Sequence, residues 1–275
     1  MRLEDRELVA QLCATRAGLK VDPEKVYLLE SRLGPVARRE GFGSIADLVE
    51  SLRTRGEEKL VWGVIEAMAF RETSFFRDRA PFEAFRDHVL PELARAREGR
   101  PIRVWSAACG SGQEVYSLAM MVDEQEETPP GVKVELFASD LSERALEKAQ
   151  SGLYTQFEVQ RGLPIRQLVR HFEKVDDMWA ISPRIRQTVR WRRVNLINDL
   201  DGVGPFDAIF CRHLLATLVD AVRPKVLKGL AAALAPDGFL VLDEDALPAG
   251  VDEALQAVPG RAGLYARNPA FRAAA

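Results

Sequence analysis

Residues 102–116, IRVWSAACGSGQEVY, constrain the fold more than any other stretch of this chain. A short apolar run with β-branched and aromatic residues, IRVW, breaks at SAACGSG and resumes as a helical pattern, QEVYSLAMMV. Strand, glycine turn and helix in that order open a nucleotide-binding α/β unit. Gly110 and Gly112 carry no Cβ to bar a sharp turn or to hold a ligand away from main-chain N–H groups. A Gly-x-Gly alone is not specific. A second strand, VELFASD, ends in Asp140, and a carboxylate there can accept hydrogen bonds from both hydroxyls of a ribose.

The same alternation continues on both sides. PFEAFRDHVLPELARA is helical in composition, with Pro91 expected to kink or split it. LSERALEKAQ reads as an amphipathic helix capped by Ser142. VRWRRVNL alternates like a strand and ends at Asn195. FDAIFC is a buried-strand pattern, followed by a helix from about Asp220 to Leu234, a turn-and-strand APDGFLVLDE and a last short strand GLYARN. DEQEETPPG, residues 123–131, is a surface connection. Strands alternating with helices predict a mostly parallel sheet covered on both faces. Ligands of such sheets sit at the carboxyl ends of the strands, where Gly110, Asp140, Asn195, Arg212 and His213 all fall.

The first part, up to about Asp78, reads as all helix. Its apolar stripes are Leu8, Val9, Leu12 and Cys13; Val26, Leu29, Leu33 and Val36; Ile45, Leu48, Val49 and Leu52 behind an N-cap at Ser44; and Leu60, Val61, Val64, Ile65 and Met68. The second helix carries Arg32, Arg38 and Arg39. Two readings stand: a solvated face, or a basic face that meets an acidic partner helix. Between bundle and α/β region lies RETSFFRD, in which Phe75 and Phe76 read as core staples. Arg77 offers a planar guanidinium that can hold a carboxylate by two hydrogen bonds.

Composition excludes several classes. The net charge of -3 gives no electrostatic case for a nucleic-acid binder. Cys13, Cys109 and Cys211 have neither disulfide nor metal spacing, which fits a reduced cytosolic protein with no metal. MRLEDRELVA lacks a signal-peptide core, no apolar run reaches membrane-span length, and the Ala-rich tail FRAAA reads as frayed.

Taken together these stretches resemble the chemotaxis-receptor glutamate methyltransferase (CheR) family, in the family's order over nearly the whole chain. RETSFFRD is similar to its N-E-T-x-F-F-R-[DE] signature. RVWSAACGSGQEVYSLAM is similar to its first methyltransferase motif, and LFASDLSERALEKAQSGLY to its A-[ST]-D-[IL] segment. NL at 195–196 and GPFDAIFCRHLL resemble its N-L and F-D-x-I-F-C-R-N-V segments. The resemblance implies an α/β, Rossmann-like S-adenosylmethionine-dependent methyltransferase domain, residues 79–275, preceded by a small all-α N-terminal domain, residues 1–78. It implies S-adenosylmethionine as methyl donor, with S-adenosylhomocysteine as product. The implied acceptors are glutamate γ-carboxylates on the cytoplasmic helical domain of methyl-accepting chemotaxis receptors. Direct membrane insertion is not implied, and a monomer is the default. Carried over by position, Thr73 and Arg77 lie at the cofactor's amino-acid end and the transfer site. Glu114 holds the methionine portion, Asp140 the ribose, and Asn195 with Leu196 flanks the adenine. His213 and Leu214 stand near the cofactor.

The chain departs from the family at named places. Arg71 stands for Asn, Gln113 for Glu and Val115 for Pro. C-R-N-V-x-I-Y-F becomes CRHLLATL, which puts His213 at the Asn and Thr217 at a tyrosine. The late G-x-S-E stretch becomes LDEDAL. His213 reads either as a replacement hydrogen-bonding group or as a loop histidine. Residues 155–193 correspond to a small β insert, with MWAI and TVRWRR expected to pair as a hairpin across ISPRIRQ. Its arginines, Arg190 and Arg192 among them, read as a solvated face or as a landing surface for an acidic receptor helix, with the alternating pattern favouring the second. Besides an active receptor methyltransferase, two readings stand: a non-catalytic signalling or scaffold protein that keeps the cofactor pocket, and a methyltransferase for another acceptor.

Overall fold

The structure, a computed structural model, describes residues 1–69, 72–124, 133–198, 200–244, 246, 253–268 and 270. Arg71, most of the acidic connection at 123–131, part of LDEDAL and the tail at 271–275 lie outside the described residues. The chain divides into two compact units. One comprises Met1–Arg71, Asn195–Ile197 and Leu215–Val226; the other comprises Glu72–Val194, Asn198–Leu214 and Leu227–Ala275.

The first unit is built on four helices: α1 (Leu3–Ala17), α2 (Val26–Arg39), α3 (Ile45–Thr54) and α4 (Glu58–Ala69). The expected stripes point inward: Val9, Cys13, Leu29, Leu33, Leu48, Val49, Val64 and Ile65 are fully buried. Burying each large side chain contributes roughly 1.5–3 kcal/mol. Ser44 caps α3 as expected, its hydroxyl accepting from the Asp47 N–H at 3.1 Å. Gly18 ends α1 in the left-handed conformation, and a Cβ there would stand 2.8 Å from Ile197 and 2.9 Å from Val222. That close approach explains why 195–197 and 215–226 belong to this unit. Backbone bonds from Lys20 to Thr217 and from Val219 to Gly18, both 2.8 Å, complete the attachment.

The second unit begins with α5 (Arg79–Ala84), a π-turn at Phe85–Val89 and α6 (Leu90–Arg97). Pro91 has no N–H to donate to the preceding turn, so the ladder slips by one residue just ahead of it. The expected break is there. Next come β1 (Ile102–Ala107), α7 (Gln113–Glu124), β2 (Val134–Asp140) and α8 (Glu143–Ser151). They are followed by β3 (Leu153–Thr155), α9 (Gln156–Gln160), α10 (Ile165–His171), β4 (Phe172–Val175), β5 (Met178–Ile181) and α11 (Pro183–Arg186). The chain ends with β6 (Val189–Arg193), β7 (Phe206–Phe210), α12 (Arg223–Ala233), β8 (Leu234–Val241), β9 (Leu255–Ala257) and β10 (Leu264–Arg267). The main sheet runs β6-β2-β1-β7-β8-β10-β9. The first five strands are parallel, and β10 runs antiparallel to both its neighbours, β8 and β9. All five residues of β7 are buried, as a central strand of a sheet covered on both faces requires. Among the described residues no helix is long and apolar enough to cross a membrane.

One expectation is corrected. MWAI and TVRWRR do not pair with each other. MWAI is β5 and pairs antiparallel with β3 and β4, the turn to β4 being Asp176-Asp177. The arginine-rich strand β6 instead pairs parallel with β2, Leu136 opposite Val189, and forms the edge of the main sheet. The intervening ISPRIRQ is a connection holding α11, not a hairpin loop. Val189 is buried and Trp191 packs its ring 5.7 Å from Tyr116, so this strand has a core to join that the hairpin would not have provided.

Candidate active site

The turn after β1 is built from backbone. Gly110 takes φ 56° and Gly112 φ 89°. The Gly110 N–H donates to Asp140 Oδ2 at 2.9 Å, and the Ser142 N–H donates to Oδ1 at 2.9 Å. Asp140 therefore ties the glycine turn to the start of α8, where Ser142 caps the helix as expected. A Cβ on Gly110 would meet Thr73 at 3.5 Å; one on Gly112 would press on Ala149 at 2.9 Å, Trp191 at 3.2 Å and the Tyr154 hydroxyl at 3.3 Å.

The segment Glu72–Asp78 is fixed against α7. The Phe76 N–H donates to Ser117 Oγ at 2.9 Å, and Ser117 Oγ donates to the Gln113 carbonyl at 2.7 Å. Phe75 is fully buried, its ring 5.0 Å from Tyr154 and 5.5 Å from Phe172. Phe76 is partly buried. Six described non-glycine residues have positive φ, and four of them, Phe76, Asp78, Ala108 and His213, lie in this segment, the glycine turn or the turn after β7. Such strain costs roughly 1–3 kcal/mol per residue and gathers where function holds the backbone in place.

Arg212, just beyond β7, is the hub. Its side chain is 2% exposed. It donates to the Arg77 carbonyl at 2.9 Å, to Asp78 Oδ2 at 2.8 Å and to Glu114 Oε2 at 3.3 Å, and stands 5.7 Å over the Phe82 ring. Glu114 Oε1 also accepts from Ser106 Oγ at 2.9 Å. Burial pushes the Glu114 carboxyl above the ordinary carboxylate value, against the pull of Arg212 and Ser106. Arg212 Nε is buried without a hydrogen-bond partner. A buried guanidinium N–H left open beside a carboxylate-lined turn fits an anionic ligand group. Arg77 is partly exposed; its Nη1 donates to the Glu72 carbonyl at 2.8 Å, and its Nε stands 3.9 Å from Asp78 Oδ2. Cys109 lies in the turn, but burial pushes its thiol well up, so it is no nucleophile at neutral pH.

The structure thus brings together Arg77, Glu114 and His213, and separately Thr73, Gly110 and Asp140, all within the second unit. Leu214 is buried in the same unit. Asn195 and Leu196 belong to the first, where Asn195 Nδ2 donates to the Arg16 carbonyl at 2.8 Å. Of the bundle arginines, Arg32 is half-buried and donates to the Met68 carbonyl at 2.6 Å, capping the end of α4. Arg39 pairs with Glu40 at 2.7 Å, and Arg38 is exposed. Arg190 lies 3.5 Å from Glu135 and 5.4 Å over Phe137; Arg192 is exposed. Among the described residues no three His, Cys, Asp or Glu side chains are grouped to hold a metal.

The sequence places Arg212 among the strand-end residues but gives it no role of its own, and it offers Asp78 and Asp243 no place in the site. Arg212 and Asp243 each follow the last residue of a parallel strand by two positions, so the strand-end rule already pointed to them.

Comparison with known proteins identifies the family. The profile described as "CheR methyltransferase, SAM binding domain" matches residues 71–263, and that described as "CheR methyltransferase, all-alpha domain" matches residues 4–68. The chain is 38% identical over 260 residues to chemotaxis protein methyltransferase 1 of Pseudomonas aeruginosa, covering 93% of this chain and 92% of that one. It is 35% identical to chemotaxis protein methyltransferase Cher2 of Pseudomonas putida, covering 88% and 87%. It is also 35% identical to the chemotaxis protein methyltransferase of Escherichia coli, covering 84% and 80%.

Proposed function

The chain belongs to the CheR methyltransferase family, and from that premise we propose that it methylates glutamate γ-carboxylates on the cytoplasmic helical domain of methyl-accepting chemotaxis receptors. We place it in the cytoplasm, acting as a monomer and without a metal.

The observation that carries this reading is the charged corner around Arg212. S-adenosylmethionine, when bound, supplies a methyl group that its sulfonium has already made electrophilic. A glutamate acceptor is ionised at neutral pH, so no general base is needed. What remains for the protein is alignment and the exclusion of water. Arg212, with its open Nε, suits the donor's carboxylate, and Glu114 beside it suits the donor's ammonium. Asp140, which accepts two backbone N–H groups at the head of the glycine turn, binds the ribose in this reading. Thr73 borders the turn. Arg77 retains donors beyond its bond to Glu72 and orients the acceptor carboxylate. It must do so without stabilising that carboxylate more in the ground state than in transfer. Arg38, Arg39, Arg190 and Arg192 are the basic side chains offered to an acidic receptor helix; Arg32 contributes less, being spent on the end of α4.

The test uses S-adenosylmethionine labelled on the methyl group and a receptor cytoplasmic fragment. Base-labile label on the receptor is expected, as for a carboxyl ester. Arg77→Ala is expected to lower transfer about 10³-fold while S-adenosylhomocysteine still binds. Unchanged transfer in that variant would remove Arg77 from the mechanism. Cofactor binding with no label in wild type would favour the scaffold reading.

A further inference from the structure

Two of the chain's departures from the family pattern, His213 and the Asp243 of LDEDAL, meet in space. Asp243 Oδ2 accepts the His213 backbone N–H at 2.7 Å, and Oδ1 stands 3.1 Å from His213 Nδ1. The residue so held has φ 58°, a conformation that histidine and asparagine tolerate better than most. On the other edge of the ring, Nε2 lies 3.3 Å from Arg212 Nη2 and 3.3 Å from Asp78 Oδ2. The imidazole is therefore wedged between a carboxylate on β8's end and the Arg212 hub.

A carboxylate oxygen stands near each ring nitrogen, Asp243 Oδ1 at Nδ1 and Asp78 Oδ2 at Nε2, but only Nε2 also faces a guanidinium N–H. The neutral tautomer with its hydrogen on Nδ1 is the one in which Nε2 can accept from Arg212. Arg212 Nη2 has two hydrogens; one goes to Asp78 at 2.8 Å and the second can go to Nε2. Protonating Nε2 sets an N–H against that guanidinium N–H and turns the ring toward Asp78. Asp78 is the same carboxylate that Arg212 and Arg77 face. We propose that His213, seated by Asp243, is a positioning residue for methyl transfer: its neutral Nε2 completes the seat of Arg212, and a proton there redirects Asp78 and undoes the seat. The proposal rests on the methyl-transfer reading above.

The charged groups facing the ring are Asp243 and Asp78, which favour the imidazolium, and Arg212 and Arg77, which oppose it; Glu114 lies beyond Arg212. Burial weighs most and also opposes it, leaving the imidazole below its ordinary value and neutral at pH 7. The disruption therefore belongs on the acid side.

The test is kcat for receptor methylation against pH, on wild type, H213N, H213A and D243N. Wild type is expected to lose about tenfold in kcat on an acid limb. H213A is expected to be about tenfold slower at pH 7.5. H213N restores most of that loss and has no such limb, because its amide oxygen accepts from Arg212 without titrating. D243N retains a backbone acceptor but moves the limb to lower pH, since one anion favouring the imidazolium is gone. The same acid limb in H213N and wild type would overturn the proposal. If wild type methylates nothing at any pH, the methyl-transfer reading fails, and S-adenosylhomocysteine affinity against pH decides the pairing. Affinity that falls on the acid side in wild type but not in H213N keeps it. Superimposable profiles reject it.

Discussion

The two sides of the candidate site are made differently. Between β1 and β2 the site is a backbone turn: two left-handed glycines, one carboxylate and two main-chain N–H groups. Beyond β7 and β8 it is a set of side-chain charges. Arg212 there is shared by Asp78 and Glu114, with His213 and Asp243 alongside. A backbone turn constrains which residue can occupy a position, so it marks the sequence locally. A charge network constrains only which side chains end up close, and its members come from residues 77 to 243. The first kind of site tolerates changes of pH and salt; the second responds to both.

The largest effect expected from this contrast is that of Arg212→Ala. Removing this buried cation leaves the buried Glu114 carboxylate without its guanidinium, and breaking a buried pair costs roughly 3–5 kcal/mol. The denaturant midpoint at pH 7 should fall accordingly. A loss under about 1 kcal/mol would mean that the corner is solvated and that Arg212 is no hub.

Gly112→Ala should cost less, about 2 kcal/mol, through left-handed strain and the press on Ala149. Its cost should be the same at pH 5 and pH 8, because nothing in that turn's contacts need titrate. A pH-dependent cost would erase the distinction between the two sides.

Much of the fold is legible because local chemistry and global fold agree. The Ser44 and Ser142 caps, the break at Pro91 and the buried β7 each follow from residues within a few positions of each other. The misreading of β6 has the opposite origin. Its alternation is right, but its partner, β2, lies some fifty residues away, and alternation carries no information on partner choice. β9, three residues long, offers too little pattern to be seen. The connections within the charged corner stayed hidden for the same reason as the partner of β6. Asp243 draws its meaning from His213, and Arg212 from Glu114 and Asp78, none of which any spacing rule connects.

The smallest effect sharpens the comparison through its sign. Burial raises the Glu114 carboxyl above its unfolded value of 4.5. A raised folded value means that the native state holds the proton more tightly, so the contribution is fully present below pH 4.5 and is lost as pH rises through the folded value. Glu114→Gln removes this loss. Stability measured from pH 4 to 8 should therefore fall in wild type relative to the variant as pH increases. The reverse slope would show that Arg212 dominates over burial at this carboxylate.

The measurement that bears most directly on the central claim is S-adenosylhomocysteine binding by calorimetry, on wild type and Asp140→Ala. The account predicts binding at roughly micromolar Kd in wild type. Losing hydrogen bonds to a charged group should weaken binding in the variant about tenfold or more. A folded wild-type protein that binds nothing, or a variant that binds as well as wild type, would contradict it.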